Sequence, residues 1–371
     1  MPEGEQHSLR RRIIMSESKD RYVAYVGTYT HGSSIGIHVY DIDAENGTMK
    51  ERNVIPVNNA SHICKSNNGE YLYSIADEGV EVLKIDQETG DLEPINKVGI
   101  DGMRGCFLST DISGKFLFVG GYHDGKITVV RIHQDGRLGS VLDGIFHKGL
   151  GSVAERNFRP HVSCAMPTPD GKYLCVVDNG IDQIKLYTVN PVTGKLKLYD
   201  IVRCELESGP RLIRFSRNGK FAYVICELSN QINVYTYDGS GKNPRFDLIQ
   251  TVDTPMDAAE GACAASGLRI SPSGKYLYCS TAGDNSAGVF KIDQETGMLS
   301  KVCILPISGK YPKDIAVIPG EEKTLVVLNH ESNDIRFFRI DYEKGLLVMK
   351  GRPITIETPN CILISKVGSP E

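Results

Sequence analysis

The chain has 371 residues, 40% of them hydrophobic, and a formal net charge of −4. That is enough apolar material for a core, and the mild acidic balance offers no overall basic surface to neutralise nucleic-acid phosphates. No stretch approaches the roughly eighteen consecutive apolar residues of a membrane span, and the opening MPEGEQHSLRRRIIMSESKD has no apolar core of the secretory-signal type.

Residues 1–20 are polar and charged. They predict a disordered extension, with Met15 as a candidate start, ahead of one domain over 21–371. A chain this long normally divides into two domains unless an internal repeat spans it. Such a repeat is present. Its first copy is DRYVAYVGTYTHGSSIGIHVYDIDAENGTM (20–49), followed by NGEYLYSIADEGVEVLKIDQETGDL (68–92) and SGKFLFVGGYHDGKITVVRIHQDGRL (113–138). DGKYLCVVDNGIDQIKLYTVNPVTGKL (170–196), NGKFAYVICELSNQINVYTYDGSG (218–241) and SGKYLYCSTAGDNSAGVFKIDQETGML (273–299) continue it. A degenerate seventh copy reads EEKTLVVLNHESNDIRFFRIDYEKGLL (321–347).

Each copy alternates apolar and polar residues over short runs, with Asp-Gly, Asn-Gly or Ser-Gly turns between them. That is the pattern of antiparallel hairpins. Four strands fit each copy, as in His161–Met166, Tyr173–Val177, Gln183–Val189 and Leu196–Val202. Radial repetition of such sheets predicts an all-β, seven-bladed β-propeller with a central channel. The remaining ITIETPNCILISK (354–366) reads as a strand that joins the first blade and closes the ring.

Ten cysteines occur without any C-x-x-C pair, which leaves zinc-ribbon and thioredoxin readings unsupported. Several lie in apolar strand runs, where cysteine behaves as a small hydrophobe. Free thiols in this number suit a reducing compartment, hence the cytoplasm. No Gly-x-Ser-x-Gly elbow and no metal-ligand spacing occurs.

In each blade the start of the inner strand lies beside the end of the second, so these positions converge on one channel mouth. Such a concavity suits a small ligand. The candidates there are Glu78 and His62 in blade two, with Arg104, Cys106, Phe107 and Tyr122 in blade three. Arg156, His161 and Asp178 follow in blade four, then Arg211 and Glu227 in blade five. Arg269 comes from blade six, and Lys313 and His330 from blade seven. His62, like His330, also reads as an ordinary structural or solvated histidine.

At these residues the chain resembles the seven-bladed lactonases related to 6-phosphogluconolactonase and to the fungal carboxymuconate cyclases. The markers are GTYT (27–30), PHVS (160–163), GPR (209–211), ICEL (225–228) and YPKDI (311–315). The resemblance implies functional roles for His161, Arg211 and Glu227, with Arg156 and Asn157 at a family Arg-Gln position. Phe107, Ser163 and Leu212 stand where the family commonly has histidine, and Ala282 where it has arginine, which marks a divergent branch.

Opening a lactone requires a base for the attacking water and a donor for the developing oxyanion. His161 is the favoured base with Glu227 as its orienter, and the reverse assignment stays open. Arg211 is the anion or oxyanion donor. Glu78, Tyr122, Arg156, Arg269, Lys313 and His330 complete the substrate-binding set. The expected substrate is a small, anionic, sugar-derived lactone, acted on by a monomer without metal or cofactor. A non-catalytic binding propeller and a lactone-forming cycloisomerase are the rivals.

Overall fold

A computed structural model describes residues 20–152, 157–257 and 261–368. The described residues form seven four-stranded antiparallel sheets and no helix. The seven inner strands touch in cyclic order, so the sheets close into a ring around a channel. The strands read in the fourth repeat recur within a residue or so, as Val162–Pro167, Leu174–Asp178, Gln183–Val189 and Leu196–Arg203. The 1–20 extension and Arg156 fall outside the described residues, except for Asp20.

Ring closure occurs through the C-terminal strand. Pro359–Val367 pairs antiparallel with Arg21–Thr28 and becomes the inner strand of blade one. Residues 354–355 of the expected closing strand belong instead to the outer strand of blade seven, Leu346–Thr355.

The apolar core is not central. It is divided into seven clusters, one at each blade–blade interface. Burial of both faces explains the nearly continuous apolar second strands, such as Phe221–Cys226 and Thr324–Asn329, which are wholly buried. The inter-blade seams carry a repeated polar clip. The buried phenols of Tyr25, Tyr73 and Tyr223 donate to the carbonyls of Gly90, Gly136 and Gly297 in the next blade, at 2.8, 3.2 and 3.0 Å. These glycines end the recurrent turns between third and fourth strands. In the two Ile-Asp-Gln-Glu-Thr-Gly turns, the Asp86 and Asp293 carboxylates cap backbone N–H groups two and three residues on. That is a tight surface turn, as the sequence implies.

Candidate active site at the channel mouth

The inner strands are not regular where they enter the channel. In blade five Pro210 faces Cys226 and Leu212 faces Ile225, which leaves Arg211 as an extra residue. The same bulge sets out Ser163 in blade four, Lys313 in blade seven and Asn360 in blade one. In blade six Ser266 and Gly267 share one place opposite the second strand. A regular strand alternates its side chains between faces; a bulge lets two consecutive residues face the same way. The pairs Arg211–Leu212, Lys313–Asp314 and Asn360–Cys361 accordingly all line one cavity. Neighbouring bulges are tied together. The Ser163 hydroxyl donates to the Arg211 carbonyl at 2.8 Å, and the Ser266 hydroxyl to the Lys313 carbonyl at 3.1 Å.

The cavity measures about 310 Å³. Five cations line it (Arg104, Arg211, Arg214, Arg269 and Lys313) against two carboxylates, Glu227 and Asp314. A positive pocket in a chain of net charge −4 is a local design for an anion. Arg211 Nη1 meets Glu227 Oε2 at 2.5 Å, joining the first two strands of blade five. Burial opposes the Arg211 charge, but the adjacent Glu227 outweighs it and pushes the pKa up. Among the described residues Lys313 has no such partner. Burial, then the like charge of Arg211, pushes it down to about 8, with Glu227 offsetting part of the effect. Arg269 forks onto Asp314, with Nη2 at 2.6 Å from Oδ2 and Nε at 3.3 Å from Oδ1. It lines the cavity in the very blade where Ala282 replaces a family arginine.

Of the expected residues, Arg211, Glu227, Tyr122, Arg269 and Lys313 line this cavity. Three do not. His161 is 6% exposed and sits behind Tyr122, with the rings stacked at 4.3 Å. Its Nδ1 lies 2.7 Å from the Tyr122 carbonyl, so that nitrogen carries the hydrogen. Glu78 is exposed and does not line the cavity; its neighbour Asp77, also exposed, pairs with the cavity residue Arg104 at 3.0 Å. His330 packs behind Tyr29 and Tyr311, at ring separations of 5.6 and 6.0 Å. Asp178, another mouth candidate, is fully buried and bonds His147 Nδ1 at 2.6 Å and the His161 amide at 2.8 Å.

His62, Arg104 and Arg214 line the cavity without having been placed in the binding set. His62 and Arg104 stand at mouth positions. Arg214 follows from simple alternation, two residues beyond Leu212. The Cys106 thiol, pushed up to about 12 by burial, is no nucleophile. Among the described residues no cluster of three or more His, Cys, Asp or Glu is placed to hold a metal ion.

The family model for the seven-bladed β-propeller lactonases matches residues 23–364. The chain belongs to that family. It is 32% identical over 347 residues to a 6-phosphogluconolactonase of Bacillus subtilis, covering 92% of this chain and 98% of that one. A putative 6-phosphogluconolactonase from Bacteroides fragilis superposes with a TM-score of 0.85 at 32% identity, covering 94% and 99% of the two chains. The periplasmic gluconolactonase PpgL of Pseudomonas aeruginosa gives 0.88 at 28% identity, covering 94% and 100%. Membership in this family makes the protein an enzyme of the lactonase type, and it agrees with the expected fold and resemblance. Among the described residues no helix is long and apolar enough to cross a membrane.

Proposed function

We propose that this lactonase-family protein hydrolyses a small lactone carrying an anionic group, with 6-phosphogluconolactone as the first substrate to test. The observation that carries this reading is the cavity's excess of cations around a single buried Glu–Arg pair. Glu227 is the base in this scheme, because it faces the cavity and His161 does not. The Glu227 carboxylate accepts a proton as water attacks the lactone carbonyl. The oxyanion that forms is stabilised by Arg211 and the protonated Lys313. The ring C–O bond then breaks, the departing ring oxygen takes the proton back from Glu227, and the hydroxy acid formed gives its carboxyl proton to solvent and leaves as its carboxylate. His161 is a positioning residue, holding Tyr122 through its carbonyl and its ring.

The cytoplasm suits a protein whose ten cysteines are all free, six of them buried. A monomer is the simplest form for a ring that already contains its whole cavity. The test is hydrolysis of 6-phosphogluconolactone and of gluconolactone near the reference His pKa of about 6.5, where spontaneous opening is slow. Turnover lost in both Glu227→Gln and Arg211→Ala, with the fold intact, supports the reading. No turnover above background on either lactone overturns it for these substrates and favours a binding propeller.

A further inference from the structure

Below the Arg211–Glu227 pair, the channel holds a second group of polar side chains that the scheme above does not use. Arg214 lies three residues further along the same inner strand, about 10 Å at ~3.3 Å per residue. Its guanidinium sits over the Phe107 ring at 5.5 Å, and the His62 ring also packs on that ring, with centroids 4.4 Å apart. Arg269 enters from the neighbouring blade and lines the same cavity. We propose that Arg214, Arg269 and His62, gathered around Phe107, form a second oxyanion subsite that holds a phosphoryl group of the substrate.

The charges of this group do not balance. Asp314 is committed to Arg269 and also accepts the backbone N–H groups of Ile315 and Ile362, at 2.9 and 3.0 Å. Arg214 has no carboxylate partner among the described residues; its Nη1 donates to the Ile213 carbonyl at 2.9 Å, and its guanidinium also donates to the Cys164 sulfur. Two guanidinium groups, both half-buried, thus share one carboxylate. A desolvated charge without a counter-ion is costly, and burial together with Arg269 presses the Arg214 pKa down.

His62 fits the same purpose. Its Nδ1 accepts the Leu108 N–H at 3.1 Å, so the hydrogen of the neutral ring is on Nε2. Burial first, then Arg269 and Arg214, hold the ring neutral, well below its usual pKa. It therefore offers a donor without adding a third charge. A histidine at position 107 would compete for this space; the phenylalanine instead gives Arg214 a flat apolar seat. The separation between the two levels suits a lactone carbonyl at Glu227 with a terminal phosphoryl group pointing inward. That the oxyanion belongs to a lactone rests on the proposed function; the need of the cations for an anion does not.

The experiment has two arms. In the first, melting temperature is measured for the full chain in inorganic phosphate and in chloride at matched ionic strength. The wild type is expected to gain several degrees in phosphate, Arg211→Ala to keep that gain, and Arg214→Gln to lose it. A gain that persists in Arg214→Gln, or no gain in the wild type, overturns the subsite. In the second arm, Arg214→Gln is expected to raise KM for 6-phosphogluconolactone at least tenfold while kcat/KM for gluconolactone changes less than threefold. Equal losses on both lactones overturn the assignment to the substrate's phosphoryl group. If neither lactone is turned over by the wild type, the proposed function fails, yet the first arm still decides whether the oxyanion site exists. Phosphate stabilisation lost in Arg214→Gln alone would then make free phosphate, or another small phosphate ester, its occupant.

Discussion

The hydroxyl of Ser163 holds the backbone carbonyl of Arg211 at 2.8 Å, so the residue that aims the site's arginine belongs to the preceding blade. Ser163 stands where the family commonly has a histidine, yet it is only 7% exposed and is used structurally. Ser163→Ala should cost about 1 kcal/mol of stability, the usual net value of such a bond. It should lower kcat/KM more than that loss suggests, because the bulge would no longer be fixed. Denaturant unfolding and lactone kinetics on the same preparation check this; unchanged kinetics would detach Ser163 from the site.

His161 tests the assignment of the base. As a positioning residue it should tolerate His161→Asn, which keeps a donor for the Tyr122 carbonyl, with a loss of roughly tenfold or less, below the ~10²–10⁴-fold of a general base. Glu227→Gln should cost 10²-fold or more on the same scale. The acid limb of the pH–rate profile should stay in place in His161→Asn. A limb that moves or vanishes would return the role of base to His161.

In the proposed scheme Lys313 serves the oxyanion, and its lowered pKa predicts a cost to folding. Its folded pKa of about 8 lies below the ordinary lysine value, so the unfolded chain binds more protons between the two. The cost to stability is therefore full below pH 8 and fades as the pH rises toward ~10.4. Lys313→Met should stabilise the protein at pH 7 by on the order of 3 kcal/mol, at about 1.4 kcal/mol per pKa unit. The gain should shrink by pH 10, and turnover should be lost. In the wild type, kcat/KM should fall as the pH rises through about 8, where free-enzyme Lys313 loses its proton. A destabilised Lys313→Met would mean that the ammonium is paired.

The repeat carried the fold into plain view: seven copies, their turns and the closing strand could all be read from residue pattern alone. The site was legible only in part, for a physical reason. Period-two counting places side chains correctly until a bulge inserts one residue, and five blades insert one at the cavity. Arg211 and Lys313 came from their place at the start of an inner strand and from the motifs of the resemblance, not from alternation along the strand. Glu78 does not line the cavity, and it is its neighbour Asp77 that pairs with Arg104, a difference that depends on the local turn. His161 and His330 occupy the right blades but lie behind aromatic rings, which no spacing can reveal. Arg214 was available from alternation beyond Leu212, and its missing counter-ion became visible only when Asp314 was seen bound to Arg269.

Gly297 shows why the turn between third and fourth strands repeats. Its φ of +73° is left-handed, and a Cβ there would come within 2.3 Å of the Phe221 ring in the preceding blade. Gly297→Ala should thus combine a strained backbone, ~1 kcal/mol or more, with overpacking of about 1–3 kcal/mol. Tyr223→Phe, which keeps the packing and removes only the bond to the Gly297 carbonyl, should cost nearer 1 kcal/mol. Urea unfolding of both variants gives the comparison; similar losses would mean that the clip, not the turn, sets the requirement.

The Arg211–Glu227 pair can be a brace between two strands as well as a catalytic device, and double substitution separates the roles. Glu227 is 4% exposed, so Arg211→Met should take the Arg211 cation away from a nearly buried carboxylate. Breaking a buried pair costs roughly 3–5 kcal/mol, and the 22% exposure of the Arg211 side chain places this case at or below the lower end. Arg211→Met combined with Glu227→Gln removes both charges and should recover most of that loss. If the pair were only a brace, the stable double variant would regain turnover. If it carries out the chemistry, stability returns and activity does not, because the double variant has neither a base for water nor a guanidinium for the oxyanion.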